Sequence, residues 1–537
     1  MTMLPSFIRQ RYNPDDTDGR HTYTPIRDDD WSTESKPSVD EVEDNSILEA
    51  DESLLPINTR RQETWRRLLR HLYCLVPSFL RSTETKDKPL RSTAWLDGLR
   101  GIAALCVVFV HCGLIWFSFD VQLAWTPDPP RRWWLYQLPI LRLVVSGLAP
   151  VSVFFVVSGY TISHHFLTLV RKGEFEKAGS AIASSVFRRH TRLFLPPAVV
   201  GFVTLMMGYF NLFPEKGLPG VAYPTRPLPH FDSLWGHLQY YIHAEVLTTD
   251  PIGQPVVRAD SEDPEPLLDP HLWTIPIEFM SSMVVFMFLT AFTRVHNKVR
   301  MLFALSLAIY LQWVFVYWGM FLFLSGMFLC DLHLELEDRQ WRWRTRQPEP
   351  EHRDTLPSDA AVHRTAERAH MSYRILRRGV GLVSFLISLW LLSMPEDMED
   401  AAKSPGYVTL ASLVPARFKE ALVIPIGAVL TVLVVDQNPF LQILFTNRFS
   451  QYMGKISFSL YMIHGPLLYS LGLVLAPWTL GLVGGGDTEI SYILGILLAF
   501  ILWVPAGIYV SDLTTTFVDA KAIDFSKWAY KMLLKKE

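Results

Sequence analysis

Residues 96–112 read Leu-Asp-Gly-Leu-Arg-Gly-Ile-Ala-Ala-Leu-Cys-Val-Val-Phe-Val-His-Cys, a stretch that opens beside charges and runs through apolar residues to a histidine. Together with its flanks the run is long enough to cross a bilayer, so it predicts a transmembrane helix. Ionisable side chains inside hydrocarbon are costly and usually face a bundle interior, where they mark functional sites. Arg100 precedes His111 by eleven residues, which returns to nearly the same helix face about 16 Å further along the axis. Asp97, Arg100 and His111 are therefore predicted to share one face, and His111 is the first candidate for chemistry.

The composition also indicates a membrane protein. Of 537 residues, 49% are hydrophobic, and the mean hydropathy is positive at +0.17, which exceeds what one soluble core needs. The net charge of −3 is near neutral for this length and favours no particular partner. The four cysteines lie in or beside predicted membrane or cytosolic segments, so we expect packing residues rather than disulfides. We expect no cleavable signal peptide, because the first ninety residues are polar, and the first membrane helix then directs insertion.

Stretches of about 20 apolar residues predict an all-α, polytopic bundle of ten transmembrane helices. The division of residues 301–330 into two spans is placed at Tyr317-Trp318-Gly319. The predicted spans are 99–118, 145–168, 193–213, 273–292, 300–317, 318–334, 379–394, 420–436, 456–478 and 489–511.

The charges of the loops predict the orientation of the bundle, because Lys and Arg concentrate in short cytoplasmic loops. Arginines and lysines precede the first span and follow the second, fourth, sixth and tenth, whereas residues 214–271 and the loop after the seventh span are acidic. With an even number of spans, both termini are predicted to be cytosolic.

Three segments are predicted outside the transmembrane domain of 93–515, and one long loop is predicted within it. Residues 1–58 are polar and predicted to form a disordered cytosolic tail. Residues 59–92 begin with apolar side chains at helical spacing beside arginines, which suits a helix on the membrane surface and equally an amphipathic helix packed on the protein. Residues 337–372 are predicted to be a flexible cytosolic loop, and 516–537 a basic cytosolic tail.

Several further segments place polar side chains in or beside the spans. Ser158 and Tyr160 belong to Phe-Phe-Val-Val-Ser-Gly-Tyr, where the small Ser-Gly pair also suits close helix packing. Arg188, Arg189 and Arg192 precede the third span and also suit the simpler role of topogenic charges.

Two segments on later helices carry ionisable groups. His271-Leu-Trp273-Thr-Ile-Pro-Ile-Glu278 places a carboxylate in the early turns of the fourth span, where it is either functional or a structural partner of an arginine. Ser457, Tyr461 and His464 are spaced by four and three residues and are predicted to share one helix face. For His464 the favoured interpretation is a structural histidine.

Together these segments resemble the acyltransferase-3 family of integral-membrane, acyl-CoA-dependent O-acyltransferases. The resemblance rests on five ordered segments, Leu-Asp-Gly-Leu-Arg-Gly to His111, Phe-Phe-Val-Val-Ser-Gly-Tyr, Arg-Arg-x-x-Arg-Leu-x-x-Pro at 188–196, Leu-Trp-Thr-x-x-x-Glu at 272–278 and Ser-x-Ser-Leu-Tyr-x-x-His at 457–464. It implies ten helices with cytosolic termini and an acyl-CoA donor, acetyl-CoA being the simplest. The sequence departs from many members in Phe279-Met-Ser-Ser282 and in the added loop 337–372.

The chemistry of acyl transfer assigns roles to these residues. A hydroxyl that attacks a thioester needs a base, and histidine titrates near neutral pH, so His111 is the predicted general base, with Arg100 and Glu278 as catalytic partners. Glu278 is expected nearer the far side, where it orients the acceptor or polarises His111. Arginine forks bind phosphate. The predicted donor-binding residues are Arg188, Arg189, Arg192, Ser158 and Tyr160, and Arg100 is a further candidate for phosphate binding. The structural or acceptor-side residues are His271, Trp273, Ser457, Tyr461 and His464.

The spacing of His, Cys and carboxylate residues in the sequence does not indicate a metal site, and no nucleic-acid-binding patch is predicted. No tightly bound cofactor is predicted either. The expected partners are acyl-CoA, the lipid bilayer, and a hydroxyl-bearing acceptor, either a small molecule of secondary metabolism or a glycan. We expect a multi-pass protein of the endoplasmic reticulum, Golgi or plasma membrane. A proton-coupled transporter remains the alternative, because buried His and Glu also serve proton relays.

Overall fold

The computed structural model describes most of the chain, and its regular elements are helices throughout the described parts. The described residues are 76–78, 90–117, 119–127, 134–214, 217–218, 231–249, 269–346 and 360–534. The predicted tail 1–58 lies outside them, and the predicted surface segment 59–92 does so except at its few described positions.

Sixteen α-helices follow one another in the described residues. They are α1 (Ala94–Trp116), α2 (Leu148–Arg171), α3 (Phe175–Tyr209), α4 (Leu234–Thr248), α5 (Thr274–Ala291), α6 (Asn297–Tyr310), α7 (Trp318–Arg346), α8 (Ala360–Leu392), α9 (Met398–Lys403), α10 (Val408–Leu413), α11 (Val423–Gln437), α12 (Pro439–Thr446), α13 (Arg448–Leu467), α14 (Leu473–Leu482), α15 (Glu489–Thr514) and α16 (Ala520–Leu533).

The number of membrane spans agrees with the sequence prediction. Nine helical segments of the described chain are long and apolar enough to cross a membrane, where α15 and α16 are counted as one continuous segment. The bent pair of α11 and α12 brings the number up to ten if it forms one span. The all-α bundle is therefore confirmed. The side of the membrane on which the termini lie stays a prediction.

The bent pair corresponds to the predicted span 420–436. Helix α11 has 15 residues, about 22 Å, which is shorter than the hydrocarbon core. Asn438 then leaves the helical region because it precedes Pro439, and the two helices meet at 103°. The predicted span therefore coincides with α11, and the chain bends directly after it into α12.

The predicted division near Tyr317 is confirmed. Helix α6 continues as one wide turn over Leu311–Phe315, and Val316 then adopts a left-handed conformation with φ of 59°. For a β-branched residue this conformation is unusual, so the chain reverses here and begins α7 at Trp318.

The predicted loop 337–372 needs a correction at both ends, because α7 continues to Arg346 and α8 begins at Ala360. An ion pair between Glu335 and Arg339 at 3.0 Å supports the extension of α7, as charges four residues apart stabilise a helix. Residues 347–359 lie outside the described chain. The basic segment 516–537 is likewise helical as far as Leu533.

A buried charge network ties α2, α6 and α7 together at one end of the bundle, the basic end. Asp331 pairs with Arg171 at 2.6 Å and with Arg300 at 2.8 Å. Since an unpaired charge at such a site would be costly, the two arginines and the carboxylate hold the three helices in register.

Helices α2 and α7 pack closely because both carry glycine at their contact. A Cβ on Gly326 would lie 2.1 Å from the carbonyl oxygen of Val156, and one on Gly159 would lie 2.1 Å from that of Phe323. Small residues allow helices in membranes to approach in this way.

We expect Gly326→Leu to destabilise the protein by about 3 kcal/mol, because the backbones of α2 and α7 must separate to admit the side chain. Thermal unfolding of the purified protein in detergent would measure the change. Gly179→Leu is the matched control, since a Cβ at Gly179 meets nothing within 4 Å; equal effects of both substitutions would contradict the packing argument.

Candidate active site

Three histidines from three elements meet where α1 and α13 cross the start of α5. Nε2 of His464 lies 3.0 Å from Nδ1 of His111, and the rings of His111 and His271 stand 4.2 Å apart at 84°. His271 and His464 are buried, whereas His111 is only half-buried. His111 is thus the member of this histidine cluster that reaches accessible space.

The hydrogen bonds indicate the tautomer of each ring. Nδ1 of His464 lies 2.6 Å from the carbonyl oxygen of Tyr461, which can only accept, so this nitrogen carries the proton. In neutral His464, Nε2 is then an acceptor and Nδ1 of His111 donates to it. This arrangement leaves Nε2 of His111 with its lone pair, as a general base requires.

A carboxylate that sequence reasoning missed completes the cluster. Oδ1 of Asp269 accepts Nδ1–H of His271 at 2.6 Å and the backbone N–H of His271 at 2.9 Å. Burial opposes ionisation, yet His271 and its hydrogen bonds hold the pKa of the Asp269 carboxyl below its usual value. The available signal was Asp269-Pro270, a helix-start pattern immediately before the span.

The face of α13 predicted from spacing is confirmed in its geometry. The Ser457 hydroxyl accepts from Nε of Arg100 at 3.1 Å, and the Gly454 carbonyl accepts from Nη2 at 3.1 Å. Arg100 also pairs with Asp97 at 3.5 Å. Arg100 is therefore oriented by α13 near the start of α1.

Tyr461, one turn further along α13, secures the start of α5. Its hydroxyl lies 2.7 Å from Oγ1 of Thr274 and donates to the backbone carbonyl of His271. Trp273 lies beside them with its ring 6.1 Å from that of Trp318. Tyr461 thereby positions His271 at the start of α5. The role predicted for Tyr461, structural or acceptor-side, stays a prediction.

Glu278 pairs with an arginine, which is one of the two alternatives that the sequence left open for it. It pairs with Arg189 at 2.9 Å and accepts from the Ser158 hydroxyl at 3.4 Å, while Nε of Arg189 donates to Ser282. Seven residues separate it from His271, about 10 Å along the helix toward the basic end. The expectation that Glu278 lies nearer the far side is therefore wrong, and the carboxylate beside the histidines is Asp269. The predicted role of Glu278, to orient the acceptor or to polarise His111, stays a prediction.

The three predicted donor-binding arginines do not converge. Arg189 reaches Glu278, whereas Nε of Arg188 donates to the Ser184 carbonyl of its own helix and Arg192 is exposed. Neighbouring residues of a helix point about 100° apart, so Arg188 and Arg189 face different surroundings.

Ser158 and Tyr160 are separated in the same way. Two residues turn a helix by about 200°, and Tyr160 is accordingly buried on the other side, where its hydroxyl donates to Asp436 at 3.3 Å. Tyr160 packs edge-on against Trp95. The geometry therefore gives no support to a donor-binding role for Tyr160.

The histidine cluster and the Arg189–Glu278 pair are joined by side chains that are half-buried although their neighbours are buried. These partly exposed side chains are His111, Ser158, Trp273, Ile277, Glu278 and Tyr461.

The histidine cluster is also the place where a metal ion could be held. One nitrogen from each ring lies within 4.8 Å of the others, and such a donor set suits Zn²⁺. Tetrahedral ligands at about 2.1 Å would stand about 3.4 Å apart, whereas the 3.0 Å between His464 and His111 suits a shared proton.

Comparison with known proteins gives concordant matches. A family model described as an acyltransferase domain matches residues 93–512. The O-acetyltransferase PaAT-1 of Phomopsis amygdali is 41% identical over 504 residues, covering 92% of this chain and 96% of that protein. Acyltransferase R4 of a Phoma species is 24% identical over 81% of this chain and 95% of its own. Acyltransferase clz18 of Cochliobolus lunatus is 24% identical over 73% of this chain and 86% of its own. No solved structure matches the chain.

Proposed function

Because the chain belongs to the acyltransferase-3 family of membrane acyltransferases, we propose that it is an acetyl-CoA-dependent O-acetyltransferase in which His111 is the general base. The observation that carries the proposal is the half-buried His111, whose Nε2 keeps a lone pair because Nδ1 donates to His464. The likeness to an O-acetyltransferase supports acetyl as the transferred group.

The proposed reaction needs one proton carrier. Nε2 of His111 takes the proton of the acceptor hydroxyl while the hydroxyl oxygen forms a bond to the carbonyl carbon of the thioester. The carbon–sulfur bond then breaks, and the same proton passes from His111 to the departing thiolate, giving the acetyl ester and CoA. General-base assistance of this kind contributes about 10²- to 10⁴-fold.

The donor is proposed to enter from the basic end. Arg100 lies there with its side chain 37% exposed, and guanidinium groups bind phosphates bidentately. The pantetheine arm is proposed to pass the half-buried side chains of Ser158 and Glu278 on its way from Arg100 to His111. We propose that this end faces the cytosol, where acyl-CoA is made, because the charge pattern of the loops predicts that orientation.

The acceptor is proposed to be a hydroxylated small molecule of secondary metabolism, with a glycan as the second class. The three similar proteins are all from fungi, which agrees with the added loops of this chain. The membrane is proposed to be that of the endoplasmic reticulum, the Golgi or the cell surface.

Membranes that contain the protein, incubated with deuterated acetyl-CoA and a fungal metabolite and glycan extract, test the proposal by mass spectrometry. We expect a product heavier by one labelled acetyl group that is absent from control membranes. Transfer only from longer acyl-CoA would correct the donor. No product with any donor would overturn the proposal and favour the transporter alternative.

We expect Arg100→Ala to raise the KM for acetyl-CoA about tenfold with kcat nearly unchanged, because a charge-assisted contact to phosphate contributes about 1.5–3 kcal/mol. Initial rates against donor concentration measure the effect. Arg448→Ala removes an exposed charge from the first turn of α13 and is the matched control. A fall in kcat with unchanged KM would contradict donor binding by Arg100.

A further inference from the structure

Asp269 is a buried ionisable group that has no role in the proton transfer proposed above. Its side chain is 4% exposed, and Oδ1 accepts two hydrogen bonds from His271. Oδ2 has no hydrogen-bond partner among the described residues. A carboxylate buried in this way has a large effect on neighbouring charges, because little water screens it.

The backbone of α13 packs directly against the contact between the Asp269 carboxylate and the His271 imidazole. A Cβ on Gly465 would lie 2.5 Å from Nδ1 of His271 and 2.8 Å from Oδ2 of Asp269. Only a glycine permits so close an approach, and it keeps the pair out of solvent. His271 therefore has one defined orientation, with its proton on Nδ1.

Asp269 reaches His111 through His271. The ring of His271 contacts that of His111 at 4.2 Å between centroids and that of His464 at 4.9 Å. The titratable groups packed around His111 and His271 are Asp269, His464, Tyr461 and Tyr469. Of these, Asp269 is the one that carries a charge when the imidazoles and phenols are neutral.

We propose that Asp269, acting through His271, is a positioning residue that stabilises His111 in its protonated form. The inference rests on the proposed function. While the acceptor proton resides on Nε2 of His111, the cluster changes from one net negative charge to none. In a low-dielectric interior this change is favourable, whereas the same transfer without Asp269 would leave an uncompensated positive charge.

Asp269→Asn tests the inference, because the amide oxygen can keep both hydrogen bonds while the charge is removed. We expect kcat to fall about 30-fold with the KM for acetyl-CoA unchanged, and the acidic limb of the pH profile to move about one unit lower, since the protonated base loses its counter-charge. Asp400→Asn is the matched control. Asp400 is also a buried carboxylate that accepts a backbone N–H, but it lies on α9 outside the cluster.

A second measurement does not depend on turnover. Diethyl pyrocarbonate modifies unprotonated, accessible imidazoles, so the extent of His111 modification against pH, read by mass spectrometry, reports its protonation directly. We expect Asp269→Asn to move this curve to lower pH, and Asp400→Asn to leave it unchanged. If the wild type transfers no acetyl group but Asp269→Asn still shifts the modification curve, the proposed function fails while this inference stands.

Three results would overturn the inference. The first is an Asp269→Asn protein with kcat and modification curve equal to the wild type, and the second is one in which only KM changes. The third is stoichiometric zinc in the purified protein that is lost in His464→Ala, since a metal would then occupy the ring nitrogens. If Asp269 acts through His271, its substitution in a His271→Ala background should add little further loss.

Discussion

His111→Asn is expected to lower acetyl transfer about 10³-fold while the protein still folds. The amide nitrogen of asparagine occupies nearly the position of Nδ1, so it can keep the hydrogen bond to Nε2 of His464. It has nothing in the position of Nε2, so the base is removed without disturbing the contact. A loss of this size is typical for a general base.

The measurement is the initial rate of deuterated acetyl transfer in membranes with equal amounts of each protein. His243→Asn is the matched control, because His243 is an exposed histidine on α4 outside the cluster. His111→Ala is the harsher companion variant, which removes both the base and the hydrogen bond. Retention of even a tenth of the wild-type rate in His111→Asn would show that another group takes the proton.

The side chains that share a face of α1 with His111 were predictable, because helical periodicity alone decides which residues of a helix share a face. Arg100 and His111 were placed on one face by their spacing, and both contact α13. Ser457 and His464 were placed on one face of α13 by the same rule, and they are the residues that Arg100 and His111 meet. Such predictions succeed since they need only the 3.6-residue repeat.

Pairings between distant segments were not predictable in this way. The partner of Glu278 depends on how α3 and α5 cross, and sequence spacing within α5 contains no information on that crossing. Asp269 follows a long acidic segment whose carboxylates look alike in sequence. It becomes distinct only because Gly465 lets α13 approach and bury it.

The geometry gives no support to donor binding by Tyr160 for a simpler reason. It was grouped with Ser158 by a shared motif, although two residues apart on a helix means opposite faces. Its hydroxyl meets Asp436 instead. Neighbouring residues of one motif in a membrane helix can therefore lie in different environments. Ser158 faces Glu278, whereas Tyr160 packs against α11.

Removal of either partner of the Arg189–Glu278 pair is expected to destabilise the protein by about 3 kcal/mol, because each single substitution leaves an uncompensated charge between helices. The side chains are 15% and 22% exposed, and the pair joins α3 to α5. Thermal unfolding of Glu278→Leu and Arg189→Met in detergent measures this loss. Lys177→Met removes one member of the exposed pair with Glu174 on the same helix and should leave the unfolding temperature unchanged.

The double variant Arg189→Met with Glu278→Leu separates structure from function. Without either charge the desolvation penalty also disappears, so most of the stability should return. We expect acetyl transfer to stay at least about 100-fold below wild type, because the half-buried pair contacts Ser158 on the path proposed for the donor, where its charges would face the bound substrates. Full activity in the double variant would instead show that the pair only stabilises the packing of α3 against α5. The polar contacts to the donor would then have to come from Arg100 and from the side chains of α13 around it.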